Sequence, residues 1–159
     1  SKIFKNIYFL KRPQKLSSSK SLIIDTLIYL NKLFKEKFEN ILMLQPTSPY
    51  RSLNLINYHW IKFITKRKKY RSKISISKAN SSEKKKFLIK NKYIILNKKK
   101  NDPRNYEANG NFFMVNTNFL KKYKKFVVSN NTEAAIISNK KNMIDIDTKQ
   151  DYILATKYK

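Results

Sequence analysis

The chain contains no cysteine, which excludes disulfide staples, thiolate metal ligands and cysteine nucleophiles. Histidine occurs once, at His59, so a histidine-based zinc site would lack its usual second imidazole. Glycine also occurs once, at Gly110. A phosphate cradle built from glycine-exposed backbone amides needs more than that. No apolar run approaches the roughly 20 residues needed to span a bilayer, and no signal-peptide core opens the chain. A cytoplasmic protein without a membrane partner is therefore expected. What remains is enough to fold: 41% of the 159 residues are hydrophobic, so residues 1–159 are expected to form one domain with a real core.

Acids are scarce too: 10 Asp and Glu stand against 36 Lys and Arg, a formal charge of +26. Such an excess attracts polyanions, whether nucleic acid or a phosphate-rich ligand. It is also what a strongly AT-rich coding sequence produces, since lysine, asparagine and isoleucine dominate. The basic runs at 66–69, 84–86, 98–100 and 121–122 are scattered over separate segments and carry no nucleic-acid-binding motif. A basic nucleic-acid-binding module thus stands as the less favoured alternative.

Periodicity gives alternating elements. Residues 3–10 read as a strand ended by Arg12-Pro13. A helix follows over 20–38, capped from Ser17–Ser19, with Ile23, Leu27, Leu30 and Phe34 at helical spacing. The apolar run to Leu44 reads as a buried strand over 40–45. Ser52 caps a second helix with Leu53, Ile56, Trp60 and Ile64 on one face. Residues 73–78 alternate as a strand, 87–96 form a hairpin turning at Asn91, and 112–115 form another strand. A short helix starts near Thr117, "MIDID" closes the strand series, and a last helix runs over 149–157. Thr148 and Asp151 there form a variant capping box. Strands interleaved with helices predict an α/β fold with a mostly parallel sheet, interrupted by a small β excursion.

Three stretches carry chemistry. "QPTSPYR" follows the 40–45 strand, and ligands of open α/β sheets sit at strand carboxyl ends. Pro46 and Pro49 stiffen a loop presenting Thr47 and Ser48, beside Gln45, which both donates and accepts hydrogen bonds. An ordinary stiffened loop explains the same residues. In "NMIDIDTKQD", Asp145 and Asp147 lie at i and i+2, on one face of a strand. Two such carboxylates repel unless a cation lies between them, and Mg²⁺ completed by phosphate oxygens suits them. A capped strand end is the plain alternative. In "NYEANGNFFMVN", the lone Gly110 reads as a turn at a backbone position that other residues do not tolerate. Phe112 and Phe113 follow, one toward the core and the other toward core or pocket.

In this order the stretches resemble the acylneuraminate cytidylyltransferases, or CMP-sialic acid synthetases. The family shares a Gln-Pro-Thr-Ser-Pro-Leu-Arg loop, here with Tyr50 for leucine, an Asn-Gly turn before an aromatic strand, and an Asp-Ile-Asp-Thr motif followed by an acid. It also has an Arg-Pro before a serine-rich helix start, here "LKRPQKLSSSKS". The resemblance covers nearly the whole chain. It implies a Rossmann-like nucleotidyltransferase fold that transfers CMP from CTP to a nine-carbon 2-keto acid sugar of sialic, legionaminic or pseudaminic type, releasing pyrophosphate. It implies Asp145 and Asp147 as catalytic Mg²⁺ ligands, and Gln45, Lys86, Lys99, Phe113 and Phe126 as sugar contacts. Arg12 and Ser21 would approach the nucleotide. Lys99 stands for a family arginine and Phe113 for a tyrosine. Residues 80–102 would be a dimerisation hairpin, giving a homodimer. The family's N-terminal triphosphate loop has no counterpart, so an N-terminally truncated domain, or a non-catalytic remnant of the fold, is expected.

Overall fold

The computed structural model describes residues 7–34, 38–66, 69, 71–80 and 84–158 of the chain. It divides into two units, Ser1–Lys37 and Phe38–Lys159. In the first, a 3-10 turn at Gln14–Leu16 precedes helix α1, Ile23–Leu33. The helix is shorter than the 20–38 expected. Its N-cap position is Leu22, which has no side-chain cap bond, because the serines before it bond locally instead. Residues 7–10 have no regular structure, and the rest of the expected first strand, 3–6, lies outside the described residues.

Among its described residues the second unit has six strands: β1 (Asn40–Met43), β2 (Ser72–Lys78), β3 (Lys86–Lys90), β4 (Tyr93–Asn97), β5 (Tyr106–Asn116) and β6 (Thr132–Ile136). Helix α2 (Leu53–Ile64) links β1 to β2, α3 (Thr117–Tyr123) links β5 to β6, and α4 (Lys149–Thr156) ends the chain. The strand order is β1-β5-β2-β6-β4-β3, and β3 also pairs with β5 through Phe87 and Tyr106. That extra pairing closes five strands into a mixed ring, with β1 attached outside it on β5.

This corrects the expected mostly parallel, Rossmann-like sheet. Among the described strands only β2 and β6 pair parallel, and β1–β5, β2–β5, β3–β4, β3–β5 and β4–β6 are antiparallel. The reason is local. Helix α2 is a crossover of the kind parallel strands need, yet the 11-residue β5 inserts between β1 and β2 and runs against both. The β3–β4 hairpin turns over Asn91 and Lys92, both at positive φ, and a two-residue turn makes its strands antiparallel.

Two further expectations change. The strand expected to be buried over 40–45 is a half-buried edge strand, shortened to Asn40–Met43. "MIDID" is not a strand. Lys141–Met143 form a 3-10 turn, and the strand in this part of the chain is β6, "TEAAI", whose alanines and glutamate give no strong apolar pattern.

Side chains alternate between two clusters, as the pleat requires. Phe112 and Met114 of β5 and Ala135 of β6 pack with Ile56 and Phe63 of α2. Phe113 and Ala134 face the other way, toward Ile74, Ile76, Phe87 and Ile94. The hairpin's Phe87 and Ile94 are thereby covered by their own chain.

Candidate active site

The site begins with an irregularity in β5. Against β2, Phe113 pairs with Ile74 while Ala108 pairs with Ile76, so β5 bulges between them. The bulge holds Asn109, Gly110 and Asn111, which explains how an Asn-Gly pair sits within a strand rather than ending it. Ser75 stitches the break: its hydroxyl accepts from Phe112 N at 2.9 Å and donates to Phe112 O at 3.1 Å. Gly110 has φ +74, and a Cβ there would lie 2.9 Å from Asp145 Oδ1 and 2.9 Å from the hydroxyl of Ser48. Only glycine combines that backbone with that clearance.

The stiff loop supports the same carboxylate. Thr47 O accepts from Ile146 N at 2.8 Å, so the loop grips the segment between the two acids. Ser48, fully buried, donates to Asp145 Oδ1 at 3.5 Å. Arg51 explains why an arginine follows the second proline. Its Nε donates to Asn111 O at 2.9 Å and its Nη2 to Gln45 O, tying the loop's start to the bulge. Asn111 adds bonds from Nδ2 to Tyr50 O (3.3 Å) and Asn142 O (2.9 Å). Tyr50 donates to Ala155 O at 2.8 Å and so anchors α4.

Asp147 is held from the other side. The capping box forms as expected: Thr148 Oγ1 accepts from Asp151 N, and Asp151 Oδ2 accepts from Thr148 N at 2.8 Å. The same Oδ2 accepts from Asp147 N at 3.2 Å. Asp145 and Asp147 therefore come together, although on an irregular segment rather than a strand face. Lys84 Nζ lies 3.3 Å from Asp145 Oδ2 and 3.3 Å from Asp147 Oδ2. Burial works against the charge on Lys84, but the Asp145 carboxylate and the bonds to both acids outweigh it, so its ammonium is held above the usual lysine range.

These groups line a cavity of about 700 Å³ together with Ser77, Asn80, Glu107, Asn109 and Lys140. Asn109 is 3% exposed, its Oδ1 accepts from Asn111 N, and among the described residues its Nδ2 has no hydrogen-bond partner. A buried amide donor left without an acceptor is costly unless a ligand or water supplies one. Two carboxylates that already share one cation have the donor chemistry Mg²⁺ takes, one or two acids with phosphate oxygens and water completing the shell. Among the described residues no three acids or histidines converge, so those further oxygens would come from the ligand.

Of the other expected residues, Lys86 is near but engaged: its Nζ donates to Glu107 Oε2 at 2.6 Å with both side chains buried. Gln45 is half-buried and does not line the cavity, and its mapped bonds are through its carbonyl. Phe113 and Phe126 meet each other, with ring centroids 5.0 Å apart, but on the core of the ring of strands. Lys99 lies on a separate exposed concavity with Lys100, Asp102 and Arg104. Arg12 and Ser21 belong to the first unit, where they bond to Ser17 and Ser18. Sequence reasoning missed Lys84 and Asn109. Asn109 had a signal, as a neighbour of the only glycine. Lys84, one lysine in a basic run, had none.

Among solved structures the chain is similar to 4-diphosphocytidyl-2C-methyl-D-erythritol synthase from Anaerococcus prevotii DSM 20548. The sequence identity is 16% and the TM-score 0.51, over 87% of this chain and 67% of that chain. The likeness is one of fold. No family model matches the sequence. No curated protein matches it either.

Proposed function

We propose that the chain is a nucleotidyltransferase domain that takes CTP and a nine-carbon 2-keto acid sugar and forms the CMP-sugar and pyrophosphate. The observation that carries this reading is the pair Asp145 and Asp147, converging on one cation in a cavity of about 700 Å³. The likeness of fold to a 4-diphosphocytidyl-2C-methyl-D-erythritol synthase supports the cytidine nucleotide, and the likeness of "QPTSPYR" and "DIDTKQD" to the acylneuraminate cytidylyltransferases supports the sugar acid.

Asp145 and Asp147 would hold Mg²⁺, which supplies charge neutralisation on the phosphates when bound. The protein's own contribution is positioning. Gly110, Ser48 and the Thr47–Ile146 bond fix Asp145, the capping box fixes Asp147, and Asn109 offers an amide donor to a ligand oxygen. The acceptor hydroxyl of the sugar would attack the α-phosphate, forming the new P–O bond as the bond to pyrophosphate breaks. Its proton leaves to solvent or to a nearby base.

The test is pyrophosphate release from CTP, with each of the three nine-carbon acids as acceptor, for the chain and its Asp145→Asn and Asp147→Asn variants. The expected result is acceptor-dependent release that either substitution reduces at least about a hundredfold, the scale of losing a charge-stabilising group. Variants within a factor of a few of the parent would place the chemistry elsewhere. CTP binding without release by the parent chain would make it a non-catalytic member of this fold.

A further inference from the structure

We propose that Lys84 is a built-in counter-cation that a divalent metal must displace from Asp145 and Asp147. The inference deepens the functional reading above and rests on it for the identity of the metal site. Its own basis is geometric. One ammonium reaches Oδ2 of both acids at 3.3 Å, so it stands between the two carboxylates that would hold the metal.

The three groups are not held equally. Asp145 is confined by the missing Cβ of Gly110, by Ser48 and by the Ile146–Thr47 backbone bond. Asp147 is fixed through its backbone amide to Asp151 Oδ2. Lys84 lies in the segment before β3, its side chain is 37% exposed, and its charge rides on a flexible four-carbon stem. Asp145 is confined at its carboxylate and Asp147 at its backbone, so when a second cation competes for them the lysine, on the longest stem, is the partner that withdraws.

Two consequences follow. The ligand-free chain holds divalent ions weakly, because each must expel a positive charge already satisfied by the same oxygens. A polyphosphate entering the cavity offers the expelled ammonium a new anionic partner, so metal and polyphosphate bind with positive coupling. In a chain of net charge +26 this device keeps the two acids paired until a ligand arrives.

The experiment is Mn²⁺ binding to the chain alone, without nucleotide, followed by calorimetry and by the electron-spin signal of free Mn²⁺. Lys84→Gln is expected to tighten binding about tenfold or more, as removal of a unit charge beside a divalent ion requires. Lys84→Arg should leave affinity near the parent value, and adding Asp145→Asn to Lys84→Gln should abolish the gain. Lys140→Gln, on the same cavity wall, controls for bulk charge and should change affinity by only about twofold.

A folded Lys84→Gln chain that binds Mn²⁺ no more tightly than the parent overturns the proposal, as does an equal gain from Lys140→Gln. Should Lys84→Gln fail to fold, the parent chain answers alone. Amine labelling of Lys84, read by mass spectrometry, must rise when Mn²⁺ is added, and an unchanged yield counts against displacement. Absence of pyrophosphate release with a tenfold Mn²⁺ gain would sink the functional reading and leave this one standing. Release with unchanged affinity would do the reverse.

Discussion

At the scale of single residues, Gly110 carries the most consequence. Its φ of +74 strains any side chain, and a Cβ would press on Asp145 and Ser48 at 2.9 Å. Gly110→Ala should therefore cost stability, about 1–3 kcal/mol for a strained non-glycine conformation. It should also push the Asp145 carboxylate from its place. Urea unfolding reads the first effect, and Mn²⁺ affinity, lowered even where the fold survives, reads the second. His59 makes a different prediction. Its ring is half-buried against Phe112, its Nδ1 has no partner among the described residues, and burial, reinforced by Lys73 and Lys62, lowers its pKa to about 4 from 6.5. The folded chain keeps His59 neutral where the unfolded chain protonates it, so the unfolded state binds more protons between about pH 4 and 6.5. Stability should rise with pH across that window, and His59→Leu should flatten the slope when urea midpoints are compared at its two ends.

Elements place these residues by their ends more than by their bodies. The α4 helix is amphipathic only weakly, since Tyr152, Ile153 and Leu154 are all exposed and Ala155 is its buried residue. What holds its start is the capping box, which also ties down Asp147 N. Thr148→Ala should cost about 1 kcal/mol, the usual worth of an N-cap side chain. It should lower Mn²⁺ affinity as well, because Asp151, whose Oδ2 anchors Asp147 N, loses the Thr148 hydroxyl that holds it in place. A loss of stability with unchanged metal affinity would separate the cap from the site. The same logic explains "MIDID". Ile144 caps a 3-10 turn and Ile146 bonds to the loop at Thr47, so the backbone partners a strand would need are already spent.

For the whole molecule, charge governs association. A chain at +26 repels its own copy, and the hairpin that the resemblance makes a dimerisation element buries Phe87 and Ile94 in its own core. Leu96 remains 49% exposed on that hairpin. A homodimer through residues 80–102 remains our proposal, and it must then strengthen with salt. Sedimentation should give a mass near one chain at about 20 mM salt and rise toward two at about 500 mM, where the Debye length falls to a few ångströms. One-chain mass at both ends would refute the dimer.

The sequence alone determined what depends on near neighbours. Ser52 and Thr148 cap α2 and α4 as read, the Asn91 hairpin turns where expected, and Gly110 occupies a position closed to other residues. Each follows from backbone geometry within a few residues, which local composition reports. The pairing of strands was not legible. Inserting β5 between β1 and β2, and closing β3 onto β5, joins residues far apart in the chain, and no periodicity records which edge a strand will meet. The site divides along the same line. Asp145 and Asp147 stood out because acids are rare here. Lys84 did not, because one lysine among 36 Lys and Arg acquires meaning only when the tertiary fold sets its ammonium between them.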